Sequence, residues 1–182
     1  MNRLVTGFSA FGSITDNPSA HLAEHYGGPF RVLEVSYAAV DRLIDELVDS
    51  DWDQVIFLGV AAQATTMRLE LNGRNRVGIT PDVAGVVAGP GVIDPSGPPK
   101  LDSDLWKSGF EELTAKEPSI TFSTDAGDYL CNYTLYQARL RLPNIKTGFL
   151  HVPTADTCPL GEQMRLLHLI LDVLDVTSTP RT

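Results

Sequence analysis

The chain has 182 residues, 43% of them hydrophobic and 20% charged, which is the make-up of one globular domain with room for a continuous core. Its formal charge of −9 repels phosphate backbones and anionic lipid, which argues against nucleic acid and membrane surfaces as partners. With only two cysteines, no basic-then-apolar leader and no run near the ~18–20 apolar residues that span a bilayer, the chain reads as cytoplasmic.

Residues 3–8 form a short apolar run and read as a first strand. Asn17 before Pro18 is a cap and first-turn pair, predicting a helix to about residue 25. Residues 31–37 read as a second strand, and residues 40–48 place Val40, Leu43, Ile44, Leu47 and Val48 on one helical stripe. The unbroken apolar run over 54–60 is that of a strand buried on both faces. Over 64–79, Met67, Leu69 and Leu71 alternate with Arg68, Glu70 and Asn72, and Asn72-Gly73 reads as a turn. That segment is expected to be a hairpin projecting from the sheet. The Gly- and Pro-rich stretch 81–99 reads as a surface loop or short edge excursion, its apolar residues being candidates for an interface. A helix over 102–113, a strand over 119–124, a helix over 129–140, a strand over 147–152 and a helix over 160–174 complete the pattern. The alternation predicts a single α/β domain over residues 1–182: a three-layer α/β/α sandwich with a mostly parallel twisted central sheet and a projecting hairpin.

Residues 123–133, Ser-Thr-Asp-Ala-Gly-Asp-Tyr-Leu-Cys-Asn-Tyr, put Cys131 in the first turn of a helix that follows a strand and a glycine-containing turn. A helix N-terminus favours a thiolate, and its free amides can hold an oxyanion. Taken alone, Cys131 is equally readable as a small buried hydrophobe. His151 ends the run Gly148-Phe149-Leu150-His151 at the carboxyl edge of another strand, where it can face the same cleft; Cys plus His is the minimum for an activated thiol. His168 reads as a helix-face residue. His21 and His25 share a helix face, but no third ligand completes a metal set, so no metal is expected. Gly7 and Gly12 have phosphate-loop spacing, yet Ser13 stands where a lysine is needed.

Residues 125–133, the run Gly148-Phe149-Leu150-His151-Val152-Pro153, and Val5-Thr6-Gly7-Phe8-Ser9-Ala10-Phe11-Gly12 with Asn17-Pro18-Ser19 resemble, in order and spacing, the motifs of the pyroglutamyl peptidase I family, the pyrrolidone-carboxylate peptidases. The resemblance implies a cysteine peptidase without metal or cofactor, acting on a small peptide substrate with an N-terminal pyroglutamate. It implies Cys131 as nucleophile and His151 as acid and base, with Phe8, Phe11 and Leu130 around the lactam ring. It also implies a homo-oligomer. A flat, neutral lactam suits aromatic walls and a few backbone hydrogen bonds.

The family's third catalytic residue is a glutamate opening a Glu-Arg-x-x-x-Asn segment. Aligning on Arg68, Leu69, Leu71 and Asn72 puts Met67 in its place, and this is the preferred alignment. The other keeps the distance from Gly59 and puts Glu70 there, with Asn75 as the later Asn. Met67 and Glu70 fall on opposite faces of a strand, so one of them alone can serve the site. With Met67, the alternative function is a catalytically weakened homologue that binds pyroglutamyl peptides or a related lactam; the altered loops leave a further alternative, an amidase of another small cyclic amide. After the histidine motif the chain departs from the family at residues 154–159, where Asp156 is read as a loop residue.

Overall fold

A computed structural model describes residues 1–107 and 109–178, so position 108 of the predicted helix over 102–113 and the last four residues of the expected domain lie outside the described residues. The chain runs β1 (Arg3–Phe8), α1 (Pro18–His25), β2 (Phe30–Leu33), α2 (Tyr37–Val48), β3 (Gln54–Val60) and β4 (Met67–Glu70). It continues with β5 (Asn72–Arg74), β6 (Lys100–Asp102), α3 (Phe110–Lys116), β7 (Ile120–Ser123), α4 (Leu130–Arg141), β8 (Lys146–Val152) and α5 (Leu160–Ser178). Six strands form one sheet in the order β2-β1-β3-β8-β4-β7. All neighbours are parallel except β4 and β8.

Alternation along the strands builds the layers. In β3, Ile56 and Leu58 enter one core while Val55 and Phe57 enter the other. The first core is closed by Leu22 and Ala23 of α1, Phe110 and Leu113 of α3, and Leu166, Leu167, Ile170 and Leu174 of α5. The second is closed by Val40, Leu43, Ile44 and Leu47 of α2 and by Leu130, Leu135 and Ala138 of α4. The result is the α/β/α sandwich with a mostly parallel sheet that the sequence predicts.

Helix starts follow their caps. Asn17 Oδ1 accepts from Ser19 N at 3.0 Å with Pro18 at the first helical position. Ser36 Oγ accepts from Ala39 N at 3.2 Å, so α2 begins at Tyr37 rather than at residue 40, and the preceding strand ends at Leu33 instead of reaching 37.

Two expectations are corrected. Asn72-Gly73 is not a turn: β4 enters the main sheet between β8 and β7, and Asn72–Arg74 pairs in a separate two-stranded sheet with Lys100–Asp102. Gly73 is glycine for proximity, since a Cβ there would lie 2.6 Å from the Tyr136 backbone nitrogen on α4. The helix predicted over 102–113 forms only as α3, from Phe110. Its first part is drawn out because Ser103 N bonds to Leu71 O and Trp106 packs where Gly148 leaves space. Gly109, at φ 93°, resets the chain before α3.

Candidate active site

Cys131 is the second residue of α4 and a free, half-buried thiol. The helix starts at Tyr129, which supplies no side-chain cap, so the amides of the first turn have no capping partner and carry the positive end of the dipole. The helix end is held from outside: Asn132 donates to Arg74 O and Arg76 O and accepts from Arg74 N, each at 2.8 Å. The thiol lies over β3 at Gly59, where a Cβ would come within 3.0 Å of Cys131 Sγ and 2.6 Å of Phe149 Cζ.

His151 stands in β8 directly beside Gly59 in the parallel register and is 7% exposed. Its Nδ1 is 2.7 Å from Glu70 Oε1, which leaves Nε2 as the ring nitrogen open to the nearby Cys131 sulfur. Phe149 packs on the imidazole with ring centroids 4.9 Å apart. Burial alone would lower the pKa of His151. The charge and hydrogen bond of Cys131, followed by the hydrogen bond and charge of Glu70, outweigh burial and push it up to about 9.

The preferred alignment with Met67 at the imidazole is therefore corrected. Met67 is fully buried in the core with Leu69, Leu58 and Leu150, on the opposite face of the sheet from His151. Glu70 lies on the His151 face, fully buried, and its second oxygen has no hydrogen-bond partner. The weakened-homologue alternative loses its motive with Met67.

Phe8, Phe11 and Leu130, which the resemblance implies around the lactam ring, line one small pocket together with Cys131 and Gly59. Val35, Val60, Asn17 and Tyr129 complete its wall and are additions from the structure. Tyr129 had a sequence signal, as the residue two before Cys131 at the helix start. Its hydroxyl donates to Pro81 O at 3.0 Å and its ring meets Tyr37 edge-on at 6.1 Å between centroids. The loop after Pro81 is ordered by Asp82, which accepts from Ala84 N and Val86 N at 2.9 Å, while Val83 N bonds to Val35 O.

Other sequence candidates lie elsewhere. Asp156 is exposed and lines a separate cleft with Asp16 and Thr154. The rings of His21 and His25 stack at 4.3 Å, and among the described residues no group of three His, Cys, Asp or Glu side chains is placed to hold a metal. His168 reaches Tyr26 O at 3.4 Å. Among the described residues no helix is long and apolar enough to cross a membrane.

The sequence profile of the family described as pyroglutamyl peptidase matches residues 1–163. Among curated proteins, the chain is 30% identical to pyroglutamyl-peptidase 1 of Homo sapiens, over 94% of this chain and 90% of the human one. It is 29% identical to pyrrolidone-carboxylate peptidase 1 of Caldanaerobacter subterraneus, over 84% and 82% of the two chains. Among solved structures, the pyrrolidone carboxyl peptidase of Thermus thermophilus superposes with a TM-score of 0.79 at 31% identity, covering 93% of this chain and 98% of the other. That of Thermococcus litoralis gives 0.85 at 25% identity, covering 100% and 97%.

Proposed function

The chain belongs to the pyroglutamyl peptidase family, and from that premise we propose how its own residues remove an N-terminal pyroglutamyl group from a peptide. It is a cysteine-type omega peptidase. The single observation that carries the assignment of roles is the line Cys131–His151–Glu70, whose Cys131 end lines a pocket walled by Phe8, Phe11 and Leu130.

The lactam ring enters that pocket, where apolar walls strip water from its flat faces. This sets the scissile carbonyl over Cys131. Transfer of the thiol proton to His151 Nε2 gives a thiolate beside an imidazolium. The sulfur attacks the carbonyl carbon, an S–C bond forms, and the carbonyl pair moves to oxygen, which faces the uncapped first-turn amides of α4. Collapse breaks the C–N bond as the His151 proton passes to the departing amine, leaving a thioester. Water then attacks that thioester, giving its proton to His151. The C–S bond breaks, pyroglutamate leaves, and the ion pair is restored. Glu70 keeps Nδ1 occupied, so that Nε2 is the nitrogen that faces the reaction.

The test is hydrolysis of pyroglutamyl-7-amido-4-methylcoumarin. Dye release by the wild type, with none from the corresponding prolyl amide and none by Cys131→Ala, is expected. Release that persists in Cys131→Ala, or its absence in the wild type between about pH 6 and 9, refutes the proposal.

A further inference from the structure

Among the described residues, the Arg68 side chain has neither hydrogen bond nor ion pair, although the residue is half-buried. Its neighbours in sequence are committed: Arg74 and Arg76 both pair with Asp125, at 3.4 Å and 2.7 Å. Arg68 stands directly opposite His151 in the antiparallel β4–β8 pair. Opposed residues leave a sheet on the same face, so Arg68 shares the face of His151 and Glu70, while Met67 and Leu69 turn into the other core.

The strand order then gives the site a direction. Across β1, β3, β8 and β4 the sheet presents, in turn, Phe8 of the lactam pocket, Gly59 beneath Cys131, His151, and Arg68. A bound substrate follows the same order: ring, scissile carbonyl, departing nitrogen, and the residue beyond the cut. Opposed side chains start about 4.5–5.5 Å apart, and one residue spans at most about 3.6 Å. A carboxylate on the first residue of the leaving group therefore falls within the reach of an arginine opposite His151.

We propose that Arg68 is a specificity residue that receives a carboxylate on the residue following pyroglutamate. The carboxylate is either the α-carboxylate of a pyroglutamyl dipeptide or the side chain of an Asp or Glu at that position. The inference rests on the peptidase reading above. Guanidinium suits the task because its planar fork meets a carboxylate through two parallel N–H donors. It also supplies local positive charge in a chain whose net charge of −9 would otherwise repel an anionic substrate.

The experiment compares kcat/KM for pyroglutamyl-alanine, pyroglutamyl-alaninamide and pyroglutamyl-aspartamide (free side-chain carboxylate, amidated C-terminus) in the wild type, R68Q, R68K and R68E. Each variant's ratio of acidic to neutral substrate cancels any general loss through folding. In the wild type the ratio is expected to favour an acid by about five- to tenfold at low salt and to shrink as salt is raised. R68Q should bring the ratio to about one, R68E should invert it, and R68K should keep part of it. Whichever acid loses its advantage in R68Q identifies the source of the carboxylate. A wild-type ratio near one, or an advantage that survives in R68Q, overturns the Arg68 proposal while hydrolysis of pyroglutamyl-alaninamide keeps the peptidase reading. No hydrolysis of any of the three by the wild type overturns both.

Discussion

Glu70 Oε1 lies 2.7 Å from His151 Nδ1 although the two residues are 81 apart in the chain. What joins them is the antiparallel insertion of β4 beside β8, which sets Glu70 opposite Phe149 and one pleat below His151. In the proposed mechanism a fully buried carboxylate in that place has two tasks: to fix which nitrogen of the ring faces the sulfur, and to stabilise the imidazolium.

Glu70→Gln keeps the shape and an accepting oxygen but removes the charge. It should lower kcat by about 10- to 100-fold, less than the ~10⁴ of a serine triad, because a thiol needs less help from its base. Met67→Leu conserves volume in the opposite core and should leave kcat within about twofold, at a stability loss below ~1.5 kcal/mol. Steady-state kinetics on the coumarin amide decides between the two positions: a larger loss in Met67→Leu than in Glu70→Gln would reverse the assignment.

Cys131 and Cys158 should differ in reactivity as well as role. Burial and the nearby Glu162 push the Cys158 thiol up, whereas Cys131 sits at a helix N-terminus beside His151, whose pKa is pushed up to about 9. Limited iodoacetamide at pH 7 should label Cys131 first, with activity lost in step, as followed by peptide mass spectrometry. Cys158→Ser should retain most activity, and Cys131→Ala should lose at least about 10³-fold. Labelling of Cys158 in step with inactivation would contradict this.

Much of the scaffold was legible because local chemistry and the fold agree. Asn17-Pro18 marks a helix start on any surface, and residues 54–60 are apolar on both faces because both faces are covered. Cys131 and His151 were legible because each sits where a strand meets a helix or loop. The errors come from residues whose reason is remote. Gly73 is set by Tyr136 on another element, not by a turn, and the Asn72-Gly73 pair looks the same in either case. The motif alignment favours Met67 over Glu70 because it weighs Arg68 and Asn72. The alternation already assigned Met67 and Leu69 to one face and Glu70 to the other. Which face carries the histidine depends on β4 pairing with β8, a non-local register that spacing does not encode.

The pH dependence of stability follows from His151. Its value in the folded chain, about 9, lies above the ordinary 6.5, so folding favours the protonated ring. The stability it contributes is complete below about pH 6.5 and is lost as pH rises through about 9. Urea midpoints should therefore fall between pH 7 and 9.5, and His151→Asn should flatten that fall. Cys131→Ser removes the sulfur charge that is the largest upward influence, so the titration of the His151 ring proton in NMR should move to lower pH. An unchanged titration in Cys131→Ser would show that Glu70 alone sustains the imidazolium.

Gly59 tests whether the sulfur's position, more than its presence, sets the rate. A methyl group at this position meets Phe149 Cζ at 2.6 Å and Cys131 Sγ at 3.0 Å. Both neighbours are side chains, so the core can yield locally, and a stability loss of about 1–3 kcal/mol is expected for Gly59→Ala. The sulfur has to move with them, away from the floor of the pocket and out of line with His151 Nε2. A displacement of about 1 Å at a reacting atom can cost about 10²-fold in rate, so a sulfur shift of a few tenths of an ångström should cost about 3- to 10-fold. The expected signature is therefore a variant that remains folded at 25 °C by circular dichroism and near its normal KM, yet turns over the coumarin amide about 3- to 10-fold more slowly. If rate and stability fall only together, so that stabilising conditions restore full kcat, Gly59 is a packing residue and the placement of Cys131 is set by α4 alone.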